Sequence, residues 1–184
     1  MYELGEVNRL STNANSKVTI RPARLNDAEP VLTLEREVVG EGEFFIAVAE
    51  EYQKTHDEHQ KWMQNIMEND RNAMFVADVD DTVVGLIVFT SHKRKRLAHT
   101  GSISIMIRKE HRNRGLGRLL LQELLNWAER HPDIEKVSLG VFSTNHRAIA
   151  LYKSMGFVEE GRKINEFKLD DGEYSDDILM YKFV

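Results

Sequence analysis

Residues 17–21 alternate polar and apolar side chains (Lys-Val-Thr-Ile-Arg), the period of a strand with one buried face. Asn26 or Asp27 then offers an N-cap, Pro30 sits where a first turn tolerates it, and the pattern predicts a helix to about Val39. Gly40 and Gly42 break it, and residues 44–52 fit either a helix or an irregular loop. Thr55-x-x-Glu58 has capping-box spacing, and Trp62, Met63, Ile66 and Met67 recur at helical intervals, so a second helix follows. Apolar runs over residues 73–79 and 83–90 flank Asp80-Asp81 and read as a hairpin. A basic loop at 92–96 leads to a third strand, about 98–107. Residues 115–130 form a strong amphipathic helix with Leu116, Leu120, Leu124 and Trp127 on one face, closed off by Pro132. A strand over 135–141, a short helix over 145–155 stopped by Gly156, and two strands, 157–169 and 174–183, around the turn signal Asp171-Gly172 complete the chain. The order βα(α)βββαβαββ describes one mixed α/β domain with several antiparallel strands.

Composition narrows the class. A chain of 184 residues can bury one sizeable core, and 41% hydrophobic with 30% charged residues is the balance of a soluble globular protein. No apolar run approaches the roughly 20 residues that span a bilayer, so no membrane association is expected. Residues 1–16 are polar and lack the apolar stretch of a secretory signal, which makes the cytoplasm the expected compartment. With no cysteine, disulfides, thiolate catalysis and thiolate metal sites are excluded. A net charge of −5 argues against nucleic acid as a partner. Yet between His92 and Arg118 stand nine basic residues and one acid, Glu110, an excess that suits either an anionic ligand or a solvated loop.

The run Arg112-Asn113-Arg114-Gly115-Leu116-Gly117-Arg118 joins an apolar strand to the amphipathic helix. Glycines let the backbone turn tightly and approach a ligand closely. The first amides of a helix have no internal partner, and the dipole adds positive charge there. With arginines around the turn, these features describe a phosphate or diphosphate site, against the plainer reading of a helix start entered through glycine. A P-loop would need G-x-x-x-x-G-K-[ST], which is absent, and a Rossmann fingerprint would need a small residue where Leu120 stands. A second run, Asn145-x-x-Ala148-x-x-Leu151-Tyr152-x-x-x-Gly156-Phe157, follows the next strand. Taken singly, Asn145 is an N-cap, Ala148 a helix former and Tyr152 a half-buried aromatic.

Together the two runs resemble the GNAT superfamily of N-acetyltransferases, whose diphosphate loop reads Gln or Arg, x, x, Gly, x, Gly or Ala and whose later element reads N-x-x-A-x-x-L-Y-x-x-x-G-F. The resemblance spans residues 17–184 as a single N-acetyltransferase domain and leaves 1–16 as an N-terminal arm outside it. It implies the GNAT acyl-CoA N-acyltransferase fold, a mixed, mostly antiparallel central sheet flanked by helices. It implies that acetyl-CoA is the cosubstrate, with no metal. Arg112, Asn113, Arg114, Gly115, Gly117 and Arg118 would then hold the diphosphate. The main chain at Ile105 and Ile107 would pair with the pantetheine arm like an added strand, and a bulge there would offer an N–H to the thioester oxygen. Asn145 would bond a pantetheine amide or the thiol, and Tyr152 would be the general acid. One departure is Lys109, where many members carry proline; it lies on a loop and leaves the phosphate site intact.

The implied reaction is acetyl transfer to a primary amine by direct attack, without a covalent acyl-enzyme. Acceptors in question are a polyamine, an amino acid or its analogue, an aminoglycoside, or a protein N-terminus. The base is unassigned: Glu43, Glu50, Glu51, His99 and His111 are candidates, each equally read as a solvated side chain. His56 and His59, three apart on one helix, lack a third metal ligand. Lys93-Arg94-Lys95-Arg96 reads as a solvated hairpin loop, and edge strands near the C-terminus leave a homodimer open. A competing class is a non-catalytic acyl-CoA-binding sensor or interaction module of the same fold; Asn145 and Tyr152 favour the enzyme.

Overall fold

The alternations and helical stripes become elements close to their predicted bounds. The computed structural model describes residues 9–12, 16–169 and 172–184. Its strands are β1 (Arg9–Thr12), β2 (Ser16–Pro22), β3 (Ala73–Val79), β4 (Thr82–Ser91), β5 (Thr100–Ile107), β6 (Lys136–Phe142), β7 (Val158–Lys168) and β8 (Tyr174–Phe183). Its helices are α1 (Ala28–Val39), α2 (His56–Met67), α3 (Leu116–Arg130) and α4 (His146–Ser154). The sheet runs β1-β2-β3-β4-β5-β6-β8-β7. Every neighbouring pair is antiparallel except β5 and β6, which are parallel because the chain returns through the α3 crossover.

Several details depart from the sequence pattern. Ser11 and Thr12, read as part of a loose arm, lie in β1 and pair with β2 (Thr12 with Ser16). Residues 44–52 form turns and irregular chain, which settles the ambiguity there. A short 3-10 turn at Lys95–Leu97 delays the start of β5 to Thr100. Of the final turn signal, Asp171 lies outside the described residues, while Gly172 has φ +87°. No helix among the described residues is long and apolar enough to cross a membrane.

The central strands are apolar on both faces because both faces are covered. In β3, Ala73, Phe75 and Ala77 face α3, while Met74 and Val76 face α1 and α2. The α3 side is filled by Leu116, Leu120, Leu121, Leu124 and Leu125, all buried. Trp127 lies at the rim of this core, its ring 5.4 Å from that of Phe89. Gly101 in β5 makes room for the Phe89 ring: a Cβ there would press into the ring and meet Thr90 O at 2.6 Å.

On the other face, α1 and α2 are joined by polar groups. Glu35 falls in the buried stripe of α1 with Val31, Leu34 and Val38. Its carboxylate accepts from the Tyr52 hydroxyl and lies 3.4 Å from Nδ1 of His59, which is fully buried. Burial raises the Glu35 carboxyl. Burial, aided by Lys54, His56 and Arg36, holds His59 down to about 4.

Two outcomes follow for stability. Gly101→Ala lowers it by about 1–3 kcal/mol, through overpacking against Phe89, read as a fall in the urea midpoint. His59 binds a proton near its ordinary value of about 6.5 when unfolded and near 4 when folded, so between those values the unfolded chain holds more protons. Its contribution is therefore complete above about pH 6.5 and shrinks as pH falls toward 4. The stability gap between wild type and His59→Leu, measured in urea, narrows across that window.

Candidate active site

The sheet opens between β5 and β6. Their parallel pairing runs only from Thr100–Lys136 to Ser102–Ser138, and beyond it the strands diverge. On its other edge β5 stays paired with β4 without interruption, from Gly101–Ser91 to Ile107–Gly85. His92 N donates to Thr100 O, and Arg108 N donates to Val84 O. Even-numbered residues of β5 thus turn their main-chain groups to β4 and odd-numbered ones turn theirs to β6 and the opening. The Ser102–Ser138 pair takes the Ile103 N–H, so the groups facing the opening are the Ile103 carbonyl and the main chain of Ile105 and Ile107. The unbroken register corrects one expectation: β5 carries no bulge, and its free amides come from the divergence of β6. The Ile107 carbonyl is already taken, since Arg112 Nε donates to it at 2.9 Å.

The opening forms a cleft of about 770 Å³. One end is cationic and rich in amides. Asn113 (φ +61°) and Gly115 (φ +82°) both adopt left-handed backbone, and α3 starts immediately afterwards. Leu119 N is bonded to Gly115 O, so the amides of Leu116, Gly117 and Arg118 precede the helical ladder and have no partner within it. A Cβ on Gly115 would meet nothing within 4 Å. Gly117 has a different role: it is buried, and a Cβ there would come within 3.1 Å of Leu151 in α4 and 3.4 Å of Ile107. It lets α3, α4 and β5 meet closely at the mouth.

The predicted side chains divide by environment. Ile105, Ile107, Arg112, Asn113, Gly115, Gly117, Arg118, Asn145 and Tyr152 all line the cleft; Arg114 is exposed and does not. Arg112 is committed elsewhere, paired through both terminal nitrogens with Glu41 at 2.6 and 2.7 Å. It pins the loop to the end of α1, so its guanidinium is spoken for by protein. Arg118 reaches α4, donating to Ser154 Oγ at 2.7 Å. Asn145 caps α4, its Oδ1 accepting from Ala148 N at 3.1 Å. Arg147 also lines the cleft, exposed in the first turn of α4 and without an ion-pair partner among the described residues. The sequence pattern did not single it out.

Tyr152 is 6% exposed and packs on Phe157 with 5.8 Å between ring centroids. Burial pushes its phenol up to about 12. The five side chains considered as bases, Glu43, Glu50, Glu51, His99 and His111, do not line this cleft.

The face of the cleft away from α3 is aromatic and acidic. Phe142 stacks on Phe167 with 4.0 Å between centroids, and Phe44 meets Phe142 edge-on at 6.4 Å. Asp177 and Glu160 also line the cleft. Sequence reading missed both carboxylates because they sit on strands of a hairpin rich in charge. The available signal was alternation in β8: Ile178 and Met180 join the α3-side core, so Asp177 and Leu179 face the other way.

Residues 41–157 match the sequence model of the acetyltransferase (GNAT) family. The chain belongs to that family. The L-amino acid N-acetyltransferase AaaT of Escherichia coli (strain K12) is 27% identical over 165 residues, covering 90% of this chain and 97% of its own length. An N-alpha-acetyltransferase of Sulfurisphaera tokodaii is 31% identical, covering 84% and 87% respectively. Among solved structures, an acetyltransferase of the GNAT family from Streptococcus pneumoniae superimposes with a TM-score of 0.87 at 29% identity, over 91% of this chain and 99% of that one. The mixed sheet of this GNAT protein, with its single parallel pair, is thus the family fold, and the matched residues run from the loop after α1 through α4.

Gly115→Val tests the amide-rich turn. A β-branched residue is strained at φ +82° but meets no neighbour, so the expected stability loss is modest, about 1–2 kcal/mol. If these amides hold the diphosphate of coenzyme A, affinity for it, measured by calorimetry, falls at least tenfold, because the new side chain would occupy the space in front of them.

Proposed function

We propose that this protein transfers the acetyl group of acetyl-CoA to a primary amine by direct attack, with no covalent acyl-enzyme. The observation that carries the reading is the opening in the sheet, with an amide-rich turn at one end and Tyr152 in its wall. The residues suit the cosubstrate. The turn at Asn113–Gly115, the first amides of α3 and the cation of Arg147 would hold the diphosphate. Ile105 offers both main-chain N–H and C=O to an extended amide-bearing arm, Ile103 offers its C=O and Ile107 its N–H. The Asn145 side-chain NH₂, unpartnered among the described residues, would serve the same arm. Arg112 and Arg118 support this end by fixing the loop and α4.

The cosubstrate supplies the activated acyl group; the protein supplies position, charge stabilisation and a proton donor. Holding both reactants in one cleft contributes at most roughly 7–11 kcal/mol. A main-chain N–H of β5 facing the carbonyl oxygen stabilises the negative charge that builds there, typically by about 2.7–4 kcal/mol. The amine nitrogen bonds to the acyl carbon, the carbon–sulfur bond breaks, the sulfur leaves as thiolate, and the nitrogen gives up a proton. Tyr152 stays protonated throughout the working range of pH. An ordinary thiol titrates near 8.5, so full proton transfer from a phenol at about 12 is uphill. Tyr152 therefore acts first as a hydrogen-bond donor to the departing sulfur.

Tyr152→Phe removes one charge-assisted hydrogen bond, so kcat falls about tenfold to a hundredfold while acetyl-CoA affinity stays within about threefold. Equal losses in both would overturn the role. The wild-type rate shows no alkaline fall assignable to Tyr152 below about pH 11, one unit under its value, and a Tyr152-dependent fall near pH 9–10 would contradict the burial of the phenol. Acetyl-CoA binding without thiol release on any amine would instead favour a sensor.

A further inference from the structure

Asp177 is 7% exposed, lines the main cleft, and has one carboxylate oxygen, Oδ1, buried without a hydrogen-bond partner among the described residues. Its other oxygen lies 3.3 Å from Nζ of Lys163, a half-exposed side chain on β7. A buried acceptor left unmatched costs stability comparable to a lost hydrogen bond, so it is retained where a ligand completes it or where another constraint holds it.

The position of Oδ1 is set by a missing side chain. Gly140 on β6 is exposed to the cleft, and a Cβ there would meet Asp177 Oδ1 at 2.6 Å. The carboxylate thus leans over an open stretch of main chain. Pairing of Ser102 with Ser138, carried along the strands, sets Gly140 level with Ser104 and Val141 level with Ile105. The notch above Gly140 is therefore at the height where β5 presents its free amides. Phe142, the register partner of Asp177 across β6 and β8, stacks on Phe167 and forms an apolar wall beside it.

We infer that Asp177 anchors the amino group of the acceptor through Oδ1, and that the acceptor is a primary ammonium borne on an apolar body seated against Phe142, Phe167 and Phe44. This rests on the acetyl-transfer reading for the side of the cleft from which the amine arrives. The ammonium donates to Oδ1 on binding, and the same bond persists when the nitrogen is neutral. The missing side chain at Gly140 gives Oδ1 its seat, and Lys163 holds the far oxygen so that only one is offered.

The test uses phenethylamine, the simplest primary amine with an aromatic body, and the full-length protein. Binding is measured by calorimetry on protein saturated with coenzyme A, and KM by thiol release from acetyl-CoA. Asp177→Asn weakens phenethylamine binding and raises its KM about tenfold to a hundredfold, with coenzyme A affinity and urea midpoint close to wild type. Lys163→Met, which removes the tie between β7 and β8 but leaves the carboxylate, binds the amine at least as tightly as wild type. Gly140→Ala, which displaces the carboxylate, reproduces the Asp177→Asn effect on the amine. The inference is overturned if wild type does not bind phenethylamine, if Asp177→Asn leaves its affinity unchanged, or if Lys163→Met matches Asp177→Asn, since Asp177 would then be a strand tie only. Failure of acetyl-CoA to bind would be seen separately and would overturn the acetyl-transfer reading; amine binding to the protein alone would still decide the role of Asp177.

Discussion

One unmade set of hydrogen bonds governs this molecule. A strand in the middle of a sheet normally satisfies main-chain groups on both edges. Here β5 does so against β4 along its whole length but against β6 for only three residues. The remaining groups, the Ile103 carbonyl, both groups of Ile105 and the Ile107 N–H, face a cleft walled by apolar side chains. An extended ligand with alternating donors and acceptors can pair with them as strands pair with one another, which is recognition by added strand. The crossover through α3 forces β6 to be parallel, and parallel neighbours need no common turn to keep them together. The same topology therefore makes the opening and places the start of α3 at its mouth.

Around that opening, glycine is used for three different physical ends. Gly115 provides a backbone angle that other residues adopt only with strain. Gly117 provides proximity, since a Cβ would crowd Leu151 and Ile107. Gly140 provides the seat for Asp177 Oδ1. From sequence the first two look like one motif, and the third looks like a weak point in a strand. Only the three-dimensional neighbours separate them.

What could be read beforehand was local. The capping box at Thr55, the stripe of α3, the turn at Gly115 and the cap at Asn145 each lie within one or two helical turns of their determinants, and each is realised where the pattern put it. What escaped was long-range. Arg112 looked like a phosphate ligand because it stands in the loop; its partner Glu41 is 71 residues away. Glu35 is indistinguishable in type from Glu43, Glu50 and Glu51, yet it alone occupies a buried phase of α1, three and four residues from Val38 and Val31. That phase was visible in the apolar stripe and went unused. The phenol of Tyr152 was placed by its spacing, but the shift to about 12 comes from side chains brought in by the fold.

On the proposed reading, the amide-rich mouth and the acidic face of the cleft explain how an acidic chain would host an anionic cosubstrate. Long-range attraction cannot do it, because the net charge is −5 and exposed charges are screened within about 10 Å at moderate salt. The binding field must be local: oriented amides, a helix start, and Arg147, which has no ion-pair partner among the described residues. Arg112 and Arg118 are spent on protein groups, so amides rather than arginines carry most of the contact, and their geometry is fixed by the very side chains that the charge count had assigned to the ligand. Elsewhere in the cleft the charges are carboxylates, each tied to a lysine, Asp177 to Lys163 and Glu160 to Lys136. Such pairs add little net field but leave directional acceptors in place. On that reading an anion would be held where main-chain donors converge and a cation where a side-chain acceptor remains unmatched, and the reacting atoms would meet between them, beside the amides that β5 never gave to β6.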